Sequence, residues 1–111
     1  MILAFPYHDP EGRCNSIFRR QLPTLQSFFD TICIGATPRT TDENATFCSE
    51  LETHGCLLYR NGPDSTIGDH SRTALQLAEE QSEGRQPIFF GFLDRLLYAL
   101  ETEHRIHYLY D

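Results

Sequence analysis

A chain of 111 residues with hydrophobic side chains at 40% has the size of one domain and enough apolar mass to bury a core. Its formal net charge is −7, which argues against a general nucleic-acid binder, because such proteins carry a basic footprint. No apolar run approaches the ~20 residues of a membrane span. The start, Met1-Ile2-Leu3-Ala4-Phe5-Pro6, lacks the basic region and apolar length of a signal peptide, so a cytoplasmic protein is expected.

The first apolar run, Ile2 to Tyr7, reads as a buried strand and is closed by the turn cluster His8-Asp9-Pro10-Glu11-Gly12. From about Asn15 the pattern becomes helical: Ile17, Phe18, Leu22, Leu25, Phe28 and Phe29 fall near one face. Asn15 or Ser16 is the expected N-cap, and Pro23 is expected to kink or split the helix.

Thr31 to Ala36 is the second strand, broken by Thr37-Pro38. Thr41 or Asp42 is expected to cap a second helix reaching about His54, with Phe47, Cys48 and Leu51 inward and Gly55 as its left-handed C-terminal residue. Cys56 to Tyr59 is the third strand, followed by the loop Asn61-Gly62-Pro63-Asp64. Gly68-Asp69 opens a third helix that ends near Gly84. Pro87 to Leu93 is a strongly apolar fourth strand, and Asp94 caps a fourth helix running from Arg95 to about His104. The tail from Ile106 to Tyr110 reads either as a fifth strand or as more of that helix.

Strand and helix thus alternate along the chain. That order predicts a Rossmann-like, three-layer α/β/α domain over residues 1–111, with a mostly parallel sheet of four or five strands. The near-continuous apolar strands agree, since parallel strands are buried on both sides.

Ligands of open α/β sheets bind outside the C-terminal ends of the strands. Four loops occupy that edge. They carry His8, Asp9, Glu11 and Arg13; then Thr37 to Thr40; then Arg60, Asn61 and Asp64 to Thr66 with Gly68; and lastly Asp94-Arg95. The helix start between Ser65 and Ser71 offers hydroxyls, free N–H groups and a positive dipole end to a phosphate, which also describes any solvated turn. His8 beside Asp9 reads as an acid/base pair or as a simple turn pair. His70 is a further candidate in the first turn of the third helix. Asp94 ends an apolar strand at the ligand edge, and the same position suits an N-cap. No G-x-G-x-x-G follows the first strand, and neither G-x-x-x-x-G-K-[ST] nor G-x-S-x-G occurs. All nine basic residues are Arg, whose fork grips phosphate or carboxylate at two points; a GC-rich genome gives the same bias. The four Cys, at 14, 33, 48 and 56, have neither the pairing expected of a disulfide framework nor the short spacing of a zinc site.

Three segments carry a resemblance: Tyr7-His8-Asp9-Pro10-Glu11-Gly12-Arg13; Ser65-Thr66-Ile67-Gly68-Asp69-His70-Ser71-Arg72-Thr73-Ala74-Leu75; and Phe92-Leu93-Asp94-Arg95-Leu96-Leu97 with Leu100-Glu101-Thr102. Together they resemble nucleotide-diphospho-sugar transferase-like proteins of the GT-A glycosyltransferase type, across most of the chain. The resemblance implies a nucleotide-sugar ligand, with His8, Asp9, Asp64, Ser65, Thr66 and Gly68 facing the nucleotide and Arg72 reaching a phosphate. It also implies a divalent cation, Mn or Mg, at an Asp-x-Asp pair after the fourth strand. Asp94 would be the metal and leaving-group residue, while Phe92 stands where the first carboxylate belongs. Such enzymes carry an acceptor half of another hundred or more residues, so the resemblance implies a donor-binding half that is truncated or catalytically inactive. The competing expectation is a small non-enzymatic α/β interaction or regulatory domain that forms a homo-oligomer through a sheet edge. A flavodoxin-like or receiver-type domain would want an acidic cluster after the first strand, at which Asp9 and Glu11 only hint.

Overall fold

The computed structural model describes residues 1–102; the expected last strand, 106–110, lies outside them. Four strands, β1 (Ile2–Tyr7), β2 (Thr31–Ala36), β3 (Leu57–Arg60) and β4 (Ile88–Phe90), form one sheet in the order β3-β2-β1-β4. All neighbours pair in parallel, with Ile2 opposite both Thr31 and Ile88, and Cys33 opposite Leu57. Five helices connect or follow the strands: α1 (Asn15–Phe28), α2 (Pro38–Glu43), α3 (Ala45–Thr53), α4 (Ile67–Ser82) and α5 (Leu93–Glu101).

The pleat sorts the strand residues between two cores. Leu3, Phe5 and Tyr7, with Ile32, Ile34 and Ala36, pack against α1, α3 and α5. Ile2, Ala4 and Cys33 face the other way, against Ala74 and Ala78 of α4. This is the expected three-layer α/β/α fold. The chain steps from β1 to β3 in one direction and then returns past β1 to β4. A right-handed crossover in the reverse direction must run on the opposite face, which is why α4 alone covers that side. None of the described helices is long and apolar enough to cross a membrane.

Local expectations held at some ends and failed at others. Gly55 has φ +96° directly after α3, as its place behind the helix predicts. Pro23 does not split α1. It lies on the exposed side, so the carbonyl of Arg19, which loses its helical partner, faces water. Neither Asn15 nor Ser16 caps that helix: the N-cap is Cys14, without a side-chain bond. The single helix expected from Thr41 to His54 is two, broken at Asn44. The Asn44 carboxamide donates to Asp9 O at 3.1 Å and to Asn15 Oδ1 at 2.9 Å, and these bonds tie the break to the loop after β1. The fourth strand ends at Phe90 rather than Leu93, and α5 starts at Leu93, ahead of Asp94.

Candidate functional site

The four strand-end loops enclose one cleft of about 690 Å³. The loop after β1 contributes His8 and Asp9, and the start of α2 contributes Thr37, Pro38 and Arg39. Pro63, Ser65, Ile67 and His70 come from the third loop and α4, and Phe92, Leu93 and Asp94 from the turn into α5. Part of the rim is apolar: Ile67 is 82% exposed and Phe92 50%, with the Phe92 ring held edge-on by Phe90, centroids 5.8 Å apart.

Asp9 is a structural anchor at the floor. Its Oδ1 accepts from Arg13 N–H at 2.9 Å and its Oδ2 from Cys14 N–H at 2.8 Å. These bonds satisfy two N–H groups at the entry to α1 that the helix leaves orphaned. Beside it, Cys14 is a poor nucleophile: burial, then the charges of Asp9 and Asp94, push its thiol above the ordinary range.

A second network holds His8. Its Nδ1 lies 2.8 Å from Thr37 Oγ1, which is 2.7 Å from Thr40 Oγ1, which accepts from Asp9 N–H at 2.9 Å. Thr37, expected only as part of the break after β2, is the N-cap of α2 with Pro38 at its first position, so the helix starts ahead of the expected caps Thr41 and Asp42. The second task of Thr37, supporting His8, depends on a contact 29 residues away in sequence.

Across the cleft, His70 Nε2 lies 2.9 Å from Ser65 Oγ. The Ser65 hydroxyl donates to Gly62 O at 2.6 Å. Its one proton is thus engaged, and His70 donates to it from Nε2. The pair is not arranged as a serine nucleophile with its base, which would require that proton to point at the ring. Burial lowers the pKa of His70 below its ordinary value; Asp69 opposes this and the neighbouring His8 ring adds to it.

Four of the residues expected at the site, His8, Asp9, Ser65 and Asp94, line the cleft; Asp64, Thr66, Gly68 and Arg72 do not. The start of α4 is closed on itself by a capping box. Thr66 Oγ1 accepts from Asp69 N–H at 3.2 Å, and Asp69 Oδ2 accepts from Thr66 N–H at 2.8 Å. Arg72 pairs with the same Asp69. Asp69 therefore already supplies the negative charge that this helix end favours. Asp94 is not the expected cap either. The N-cap of α5 is Phe92, and Asp94 sits exposed in the first turn.

Among the described residues no group of three or more His, Cys, Asp or Glu side chains is placed to hold a metal ion. Asp94 stands without a second carboxylate two residues before it, where Phe92 is found. The donor set does not amount to a resident metal site.

Family models, curated proteins and solved structures were each compared with the chain, and none matches it.

Proposed function

We propose that this domain binds a nucleotide sugar in the cleft at the C-terminal edge of its sheet, as a glycosyltransferase-like donor-binding domain. The observation that carries the reading is the convergence of all four strand-end loops on one cleft of about 690 Å³, within the roughly 300–1,000 Å³ of small-molecule sites. Its two kinds of wall suit the two ends of such a ligand. Ile67 and Phe92 offer exposed apolar surface for a base, and His8 and Arg39 offer N–H donors for phosphate oxygens. The self-capped start of α4 is the poorer phosphate cradle, because Asp69 would repel the ligand there.

Asp94 fits this reading as the one carboxylate on the α5 side of the cleft. Asp94 would be the residue to hold a Mn²⁺ or Mg²⁺ ion brought in with the diphosphate, and such an ion would neutralise the diphosphate charge. Binding is the activity proposed; no turnover step is assigned to the side chains.

Thermal melting with UDP- and GDP-sugars, with and without Mn²⁺, tests the proposal. A ligand that binds only the native state raises the midpoint, by about 2.7 kcal/mol of stability at a hundredfold excess over Kd. No shift with any nucleotide, with or without metal, would remove the reading. An Asp94→Asn variant that still gains the full metal-dependent shift would remove the role given to Asp94.

A further inference from the structure

We infer that His8 is the fixed hydrogen-bond donor of the cleft: a relay from Thr40 through Thr37 keeps its ring proton on Nε2, and that N–H receives an acceptor oxygen of the phosphoryl class from the ligand.

The direction of the relay follows from counting protons. Thr40 is completely buried, and its Oγ1 has two neighbours, Asp9 N and Thr37 Oγ1. The Asp9 N–H can only donate, so Thr40 accepts there and its own hydroxyl proton has one acceptor, Thr37 Oγ1. Thr37 must then donate its proton elsewhere, and the atom at 2.8 Å is His8 Nδ1. An Nδ1 that accepts carries no proton, so the neutral ring carries it on Nε2. Running the relay backwards would leave the Thr40 proton buried and unpaired, at a cost of about 1–3 kcal/mol. That preference selects one tautomer by roughly fivefold or more.

His8 lines the cleft and is itself exposed, so a ligand can reach it. A protonated Nε2 cannot ligate a metal and can only donate, which makes it a partner for an oxygen. Thr37 and Thr40 are positioning residues, since they act only through the ring. The ligand part of this inference rests on the proposed nucleotide reading; the tautomer does not.

Long-range ¹H–¹⁵N correlation spectra of the imidazoles test the tautomer in the ligand-free protein, with His8 assigned through a His8→Gln variant. The wild type should show His8 Nδ1 as the bare, pyridine-type nitrogen and Nε2 as the protonated one. In Thr40→Val, Thr37 is free to accept from His8 and the two nitrogens should move toward averaged shifts, whereas Thr40→Ser keeps the hydroxyl and the wild-type pattern. A wild-type His8 protonated on Nδ1, or a Thr40→Val spectrum identical to wild type, overturns the relay. If Thr40→Val does not fold, the wild-type spectrum still decides. Uridine diphosphate is the probe for the donor role. His8→Ala should weaken its binding about tenfold, as expected for losing a hydrogen bond to a charged group. His8→Gln, which keeps an N–H near the Nε2 position, should stay within about threefold of wild type. Equal binding by wild type and His8→Ala overturns the donor role. Failure of uridine diphosphate to bind any form overturns the nucleotide reading and the donor role with it, and leaves the tautomer to be judged by its spectrum.

Discussion

Gly35 of β2 lies directly beneath the backbone of His70: a Cβ at residue 35 would stand 2.0 Å from His70 O and 2.8 Å from Thr73 Oγ1. The sheet and α4 therefore meet backbone to backbone at this point, and the same contact fixes where His70 enters the cleft. Gly35→Ala forces α4 to lift. We expect a loss of about 3 kcal/mol or more, at the upper end of overpacking costs, measured by urea denaturation. Because His70 moves with the helix, the same variant should also lose nucleotide affinity.

Tyr7 presents the opposite case. Its ring packs edge-on against Phe5 and Phe18, at 6.4 and 5.9 Å between centroids, while its buried hydroxyl makes no well-formed hydrogen bond among the described residues and has only a weak interaction with the Asn44 side chain. Burial, reinforced by Asp9, holds the phenol neutral far above its usual range. Removing an unsatisfied buried polar group relieves a desolvation penalty of about 1–3 kcal/mol. Tyr7→Phe should be neutral or stabilising in chemical denaturation, and a clear loss of stability would mean that the hydroxyl has a role the packing does not reveal.

Much of this molecule is legible in its sequence. The strands announce themselves as short apolar runs between Gly, Pro and Asp clusters, and the loops at one sheet edge follow from the alternation alone. His8, Ser65 and Asp94 can be placed at that edge without coordinates. The details that failed depend on contacts distant in sequence. Asn44 breaks a helix because it reaches Asp9 and Asn15, and nothing near residue 44 encodes that. Asp9 looks like half of an acid/base pair, yet its carboxylate is occupied by the amides of Arg13 and Cys14. Thr66, Gly68 and Arg72 read as a phosphate cradle, but Thr66 and Asp69 also form a T-x-x-D capping signature, and the structure uses them that way.

The two caps can be compared by mutation. Asp9→Ala removes an acceptor from two part-buried N–H groups and should cost about 2 kcal/mol or more, as charge-assisted bonds do. Thr66→Ala removes an exposed cap and should cost about 1 kcal/mol. Denaturation midpoints of both variants check the order; a Thr66→Ala loss larger than that of Asp9→Ala would contradict it.

His70 also predicts how stability changes with pH. Its folded-state pKa is held below the ordinary 6.5, chiefly by burial. The unfolded chain therefore takes up the proton first as pH falls. The contribution of neutral His70 is complete above about pH 6.5 and declines as pH drops toward the folded value. The melting midpoint of the wild type should fall between about pH 7.5 and 5.5, before most carboxylates titrate, and His70→Gln should show a shallower fall over the same interval. Identical slopes would mean that His70 carries no such linkage.

The central claim is that the cleft framed by His8, Ser65, His70 and Asp94 is a nucleotide-sugar site. The most direct measurement is an amide ¹H–¹⁵N titration of the wild-type protein with UDP- and GDP-sugars in the presence of Mg²⁺. The account predicts saturable shifts for at least one of them, concentrated at residues 8–9, 37–39, 65–70 and 92–94, with the outer face of α1 and α3 unchanged. Saturable shifts centred elsewhere, or none with any nucleotide sugar, would contradict it.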